Sequence, residues 1–181
     1  MKKENPNIEV SFQGVIYKVR KSALREYTYG ENEGEKYLNI GPTEGGQMVK
    51  QFVKNLNKEY LCKVMADHFS MGNSLHVWVS YKDGSSIPQG DYEKIRDFAE
   101  LFKYGRFDGM TDMYNYEGGT YGTDGGNWIE AGCKYVMVDN RPKSGTVEYI
   151  VNEVKNQGRE FAEVVKWISN KKIVERAMAQ L

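Results

Sequence analysis

Asp108 and Asp112 stand four residues apart in the stretch Phe107-Asp108-Gly109-Met110-Thr111-Asp112. On a helix that spacing would set both carboxylates on one face, able to hold Mg²⁺ or Mn²⁺ for phosphodiester cleavage. Gly109 lies between them and opposes a helix, and no third carboxylate or histidine follows at a recognisable spacing. The residues favour a turn in which Asp108 caps and Asp112 bonds loop backbone. Ser70 and Ser74 lie near His68 and His76, the only two histidines, which raises a nucleophile and base. No GxSxG elbow or oxyanion signal accompanies them, and satisfied hairpin hydroxyls are the simpler reading. Cys62 and Cys133 have no CxxC spacing and read as reduced, buried thiols. The sequence therefore points to no catalytic residue, no metal and no cofactor.

Contact chemistry is better represented. Tyr114, Tyr116, Tyr121 and Trp128 are interleaved with Gly118, Gly119, Gly122, Gly125 and Gly126. These glycines match neither GxGxxG nor GxxxxGK[ST]. A flexible loop that carries large aromatics at low rotamer cost is what a binding surface needs. We expect partner contacts from Asp108, Met110, Asp112, Tyr114, Tyr116, Tyr121 and Trp128, beside a turn carrying Met71 and Asn73. Lys50, Lys54 and Lys58 recur every fourth residue and would form a basic row for nucleic acid or an acidic partner, or simply a solvated face.

These residues need a frame. Val64, Ala66 and His68, then Leu75, Val77 and Val79, alternate on either side of Ser70-Met71-Gly72-Asn73-Ser74, which predicts a β-hairpin. Asp91 reads as the N-cap of a helix with Tyr92, Ile95, Phe98, Ala99 and Phe102 on one face and Gly105 at its stop. Trp78 reads as core under that helix, with a surface platform for a base or partner groove as the alternative. Upstream, Ile8, Val10 and Phe12 alternate, Gln13-Gly14 turns, and Val15, Tyr17 and Val19 alternate again, a second hairpin. Residues Tyr27 to Ile40 read as an exposed connection with a strand only at its end. A helix from Pro42 carries the stripe Met48, Val49, Phe52, Val53, Leu56 and Tyr60. Lys134 to Val138 is strand-like, and Ser144 is expected to cap the first of several helical pieces, whose stripes either dock at home or pair two copies.

The chain has 181 residues, with 25 Lys plus Arg against 25 Asp plus Glu. That length suits one α+β domain over residues 1–143, an antiparallel sheet of roughly five or six strands covered by helices, with a C-terminal helical extension over 144–181. Zero net charge neither advertises nucleic acid nor imitates it. No run reaches membrane-spanning length, and a soluble intracellular protein is expected.

The segment from about Gly46 to Tyr116 resembles a large polyvalent protein-associated domain family of phages and plasmids. The resemblance rests on Val64, Ser70, Met71, Gly72, Ser74, Val77, Trp78, Asp83, Gly84, Phe107, Asp108, Gly109, Met110, Thr111, Asp112 and Tyr116. The family's basic strand end is replaced by Asp67-His68-Phe69, and the Pro that follows Asp-Gly is displaced to Pro88. The family has no established activity, so the resemblance implies a genetic setting, mobile elements in bacterial hosts, rather than a mechanism. Size and layout are also similar to small type II (II-A) anti-CRISPR proteins of phages. The expectation that follows is a non-enzymatic inhibitor that binds the RNA-guided nuclease of a type II CRISPR system in the host cytoplasm. The alternatives are a nucleic-acid-binding accessory protein and a metal-dependent nuclease or hydrolase using Asp108 and Asp112.

Overall fold

The computed structural model describes residues 6–111, 113–116, 118–124 and 126–181. Among these residues the chain forms eleven strands and five helices, an α+β fold with mostly antiparallel pairing. β1 (Asn7–Phe12) and β2 (Val15–Arg20) form the first hairpin, turning at Gln13 and Gly14, both at positive φ as a tight hairpin turn requires. A short 3-10 turn leads to β3 (Leu24–Glu26), then β4 (Lys36–Ile40) and α1 (Pro42–Leu56). β5 (Tyr60–Phe69) and β6 (Gly72–Tyr81) are the second hairpin, followed by α2 (Gln89–Glu100). β7 (Gly105–Asp108), β8 (Met113–Tyr116), β9 (Thr120–Gly122), β10 (Trp128–Ala131) and β11 (Tyr135–Asp139) precede α3 (Val147–Lys155), α4 (Phe161–Val165) and α5 (Lys171–Met178).

The strands do not join one sheet. They divide into the hairpin β1-β2, a four-stranded sheet β3-β4-β10-β9, a three-stranded sheet β11-β6-β5 and the hairpin β7-β8. Two pairings are parallel, β10 on β4 and β11 on β6. Both join segments far apart in sequence, which local periodicity does not reveal. The Gly-rich segment expected to be a flexible loop instead supplies β8, β9 and β10.

One core binds these layers. Leu75, Val77 and Val79 on β6 face Met48, Val49 and Val53 of α1, all buried. Gly46 permits the approach, since a Cβ there would come within 3.1 Å of Val64 and 3.3 Å of Leu75. Phe98 of α2 is the hub, stacked on Phe52 at 4.3 Å and edge-on to Phe102 at 5.4 Å, with Tyr17 and Phe12 beyond. Glu44 is buried but paired, its Oε1 accepting from the Arg20 Nε at 2.8 Å.

The helix boundaries differ from expectation for local reasons. α1 stops at Leu56, so Tyr60 opens β5 and Lys58 lies in the connecting turn. The lysine row is thus Lys50 and Lys54 on the exposed face of α1, with Lys58 outside it. α2 begins at Gln89 behind Pro88, and Asp91 belongs to its first turn, where its carboxylate accepts from the Tyr60 hydroxyl at 2.6 Å and from Lys94. Thr146, rather than Ser144, caps α3 by accepting from the Tyr149 amide at 3.2 Å. No helix among the described residues is long and apolar enough to cross a membrane.

The last three helices gather a second apolar cluster around Ile150, Val164 and Ala177, with Val147, Phe161 and Ile173 packed on it. The α5 stripe is therefore used at home against α3, leaving Met178 and Leu181 exposed. Hydrogen bonds fasten this unit to the end of β6: the Lys143 amide donates to the Gly84 carbonyl at 2.8 Å, and the Ser86 amide donates to Glu148 at 2.9 Å.

Candidate binding surface

The arrangement begins where α2 ends. The Cys133 amide donates to the Phe102 carbonyl and the Tyr104 amide donates back to the Cys133 carbonyl, both at 2.9 Å. This exchange sets Tyr104 beside the start of β11. Gly105 then pairs with Tyr116 across the β7-β8 hairpin, so close that a Cβ on Gly105 would lie 2.2 Å from the Asn115 carbonyl oxygen. Only glycine fits there. The closeness brings Tyr114 and Tyr116 against Tyr104.

Four tyrosines and a phenylalanine result in one continuous group. Tyr104 and Tyr116 stack with ring centroids 5.8 Å apart and planes 3° from parallel. Tyr114 meets Tyr104, Tyr116 and Tyr135 edge-on, and Tyr135 stacks on Phe69 at 6.2 Å. Burial first, then the neighbouring Tyr116 and Tyr135, raises the Tyr104 pKa, so its hydroxyl stays protonated at neutral pH. Tyr116 is 73% exposed, so the stack presents an open ring face to solvent.

Lys134 ties this group to the β5-β6 turn. Its carbonyl accepts from the Tyr114 hydroxyl at 2.6 Å and its amide donates to the Asn73 side chain at 2.7 Å. Its ammonium donates to the Met71 carbonyl at 2.8 Å, 5.0 Å from the Tyr114 ring centroid and 5.6 Å from that of Tyr135. Asn73 also donates to the Gly132 carbonyl at 2.9 Å. Met71 and Asn73 are thus brought to Tyr114 and Tyr116. Sequence reasoning missed Lys134 and Tyr104, whose roles depend on the non-local pairing of β11 with β6.

The other expected contact residues are placed elsewhere. Tyr121, on β9, is half-buried and packs on Phe12 at 6.3 Å. Trp128, on β10, donates its indole N–H to Glu35. Met110 projects at the β7-β8 turn and is almost wholly exposed. Asp108 accepts the Met110 amide at 2.9 Å, the turn-capping role its spacing suggested. That bond, with help from Thr111, holds its carboxyl below the usual range. Asp108 closes β7 and is followed by a turn over residues 109–111 rather than by a helix. Asp112 itself lies outside the described residues. Among the described residues no group of three or more His, Cys, Asp or Glu could hold a metal ion.

Trp78 lies on the face of the three-stranded sheet opposite Val77 and Val79, so it is not core under α2. His76 stacks on it at 3.8 Å and contacts Asp139 at 2.7 Å, while the Lys63 ammonium sits 5.8 Å from its ring centroid. His68 is on the other face, its register partner Asn73 rather than a serine. Burial pushes both the Cys62 and Cys133 thiols up to about 12, which makes them poor nucleophiles at neutral pH. The chain finds no match among family models, curated proteins or solved structures.

Proposed function

We propose that the chain is a non-catalytic binding protein of a phage or other mobile element, which docks on the RNA-guided nuclease of a type II CRISPR system in the host cytoplasm. The observation that carries a binding role is the Tyr104–Tyr116 stack, exposed on one side and fixed on the other by Tyr114 and Lys134. Rigid aromatic side chains dominate interface energies, and rings already held in place lose little entropy on docking. The resemblance of residues Gly46 to Tyr116 to a mobile-element family supports the genetic setting, and the likeness in size and layout to small type II anti-CRISPR proteins supports the choice of target. An inhibitor of this kind acts by covering the charged channel that admits DNA or by blocking nuclease-domain docking, with no turnover of its own.

The test is inhibition of target DNA cleavage by a purified type II effector, with a pull-down on the same effector. Wild type should inhibit at stoichiometric concentration, and Tyr116→Ala should inhibit less. No association with the effector would refute this choice of target.

A second reading, a nucleic-acid-binding accessory protein, is favoured by one specific feature. The Lys134 ammonium lies beside the same aromatic group, and a stacking plane next to a cation is how sequence-tolerant single-strand binders hold bases. Fluorescence anisotropy with a labelled single-stranded oligonucleotide separates the two. Binding that fades between about 50 and 200 mM salt and is lost in Tyr116→Ala would favour this second reading.

A further inference from the structure

β5 is an edge strand. It pairs with β6 on one side, and no strand among the described residues pairs with the other. The Phe69–Gly72 pair closes a two-residue turn, so it and every second pair from it exchange both ladder bonds. The Lys82 amide donating to the Glu59 carbonyl keeps the same phase at the far end. The amides and carbonyls of Cys62, Val64, Ala66 and His68 therefore point away from β6.

On the sheet face not covered by α1, β5 displays Leu61, Lys63, Met65, Asp67 and Phe69. Leu61 and Met65 are each 50% exposed and Phe69 is 44% exposed. A lysine in the middle of an edge strand ordinarily blocks edge-to-edge pairing. Here it selects a register. If two copies of β5 meet antiparallel about a two-fold axis at Met65, Lys63 of each faces Asp67 of the other, Leu61 faces Phe69, and Met65 faces Met65. The outward groups of Val64 then meet those of Ala66, and Cys62 those of His68, so every ladder bond has its partner. Moving the register by two residues either way sets both Lys63 and Asp67 against apolar residues, so neither charge keeps its match.

We propose that β5 is the seam of a homodimer, in which two copies join into one sheet of order β11-β6-β5-β5-β6-β11 with an isologous two-fold interface. Its partner is a second copy of this chain, chosen by the Lys63 and Asp67 complementarity. Strand pairing of this extent is a small interface, below about 1,200 Å², so the dimer is reversible and concentration dependent. The proposal does not rest on the target named above: its residues are those of the free edge of β5, of which Phe69 alone also belongs to the tyrosine group.

Sedimentation velocity from about 1 μM to about 1 mM reads the association directly. Wild type should pass from monomer to dimer across that range. Lys63→Asp alone or Asp67→Lys alone should raise the dimer Kd at least about tenfold by setting like charges together. An equal mixture of the two should recover wild-type association as a heterodimer, and the double variant should recover it as a homodimer. Ala66→Pro removes an outward amide without touching the β5-β6 ladder, and should give a folded monomer. Met65→Cys should form a disulfide dimer under mild oxidation, because opposed residues of a non-hydrogen-bonded pair lie about 4.5 Å apart at Cα. A wild type that stays monomeric to about 1 mM overturns the seam. So does a charge-swapped mixture that associates no better than its components.

Discussion

The Tyr114 hydroxyl donates to the Lys134 backbone carbonyl at 2.6 Å while the Lys134 ammonium sits 5.0 Å from the centroid of the same ring. One residue thus holds another by its polar tip and by its face. The bond joins the β7-β8 hairpin to the start of β11, so it controls the angle at which Tyr116 is presented.

Removing that tip alone is informative. Tyr114→Phe keeps the ring and the cation contact but leaves the Lys134 carbonyl without this donor. It should cost about 1 kcal/mol, roughly 2–4 °C in Tm for a chain of this size. Near-ultraviolet circular dichroism should show the tyrosine environment altered. An unchanged Tm and spectrum would mean that the hairpin is held elsewhere.

Tyr116 and Tyr121 should behave as opposites. Tyr116→Ala removes a ring that is mostly in solvent, so unfolding should move by no more than about 0.5 kcal/mol, while target binding weakens by roughly 1–3 kcal/mol. Tyr121→Ala withdraws a ring packed on Phe12 and should lower stability first. Lys50→Ala and Lys54→Ala should change association rate and salt dependence more than affinity. Thermal unfolding beside effector inhibition separates these effects. Loss of inhibition in the lysine variants with none in Tyr116→Ala would move the working surface to α1.

Gly105→Ala places a methyl 2.2 Å from the Asn115 carbonyl oxygen, and backbone cannot step aside as a flexible side chain can. The β7-β8 pairing should open, at a cost of roughly 1–3 kcal/mol. Gly118→Ala, whose added Cβ would meet nothing within 4 Å, is the control and should leave unfolding unchanged. Equal stability of the two variants would contradict the close approach.

Acid should loosen the joint between α2 and β5. The Tyr60 hydroxyl, then Lys94, lowers the Asp91 carboxyl pKa below its usual value of 3.8. A depressed carboxylate contributes stability that is present above the unfolded pKa and lost as pH falls through the folded one. The acid limb should therefore lie below about pH 4, and Tyr60→Phe should shift it upward. Burial, then the same bond, raises the Tyr60 pKa, so its contribution is complete below pH 10 and lost as pH rises beyond. Urea unfolding across pH measures both limbs. An acid limb unmoved by Tyr60→Phe would show that the bond contributes nothing.

The hairpins were legible because alternation over Val10 to Val19 and over Val64 to Val79 is a strong local signal, and Gly14 and Gly72 mark the reversals. The inward stripe of α1 was legible for the same reason. Tyr60 misled because it falls four residues after Leu56, a helical interval that the chain uses as the start of a strand. Asp91 looked like a cap since capping and a first-turn position differ only by where Pro88 begins the helix. Trp78 could be assigned opposite Val77 and Val79, but which face the helices cover depends on packing beyond the hairpin. In the Gly-rich stretch, the strand at Trp128–Ala131 owes its form to β4, a partner remote in sequence that no local pattern names, and Thr120–Gly122 is a strand because it pairs with Trp128–Ala131 in turn. Tyr114, Tyr116, Met71 and Asn73 were named as contact residues, while the lysine that joins them was not.

Two apolar clusters joined by hydrogen bonds imply two cooperative units. The Lys143–Gly84 and Ser86–Glu148 bonds bury little carbon, so they transmit little of one unit's melting free energy to the other. Heating should then give two calorimetric transitions, the weaker from α3, α4 and α5, whose amides should exchange with solvent while those of β6 remain protected. A single transition with matched calorimetric and van't Hoff enthalpies would show that the polar strap couples them after all. With two transitions, residues 144–181 behave as a separable cassette, one that can be exchanged, lost or refolded without disturbing the tyrosine group at the opposite end of β6.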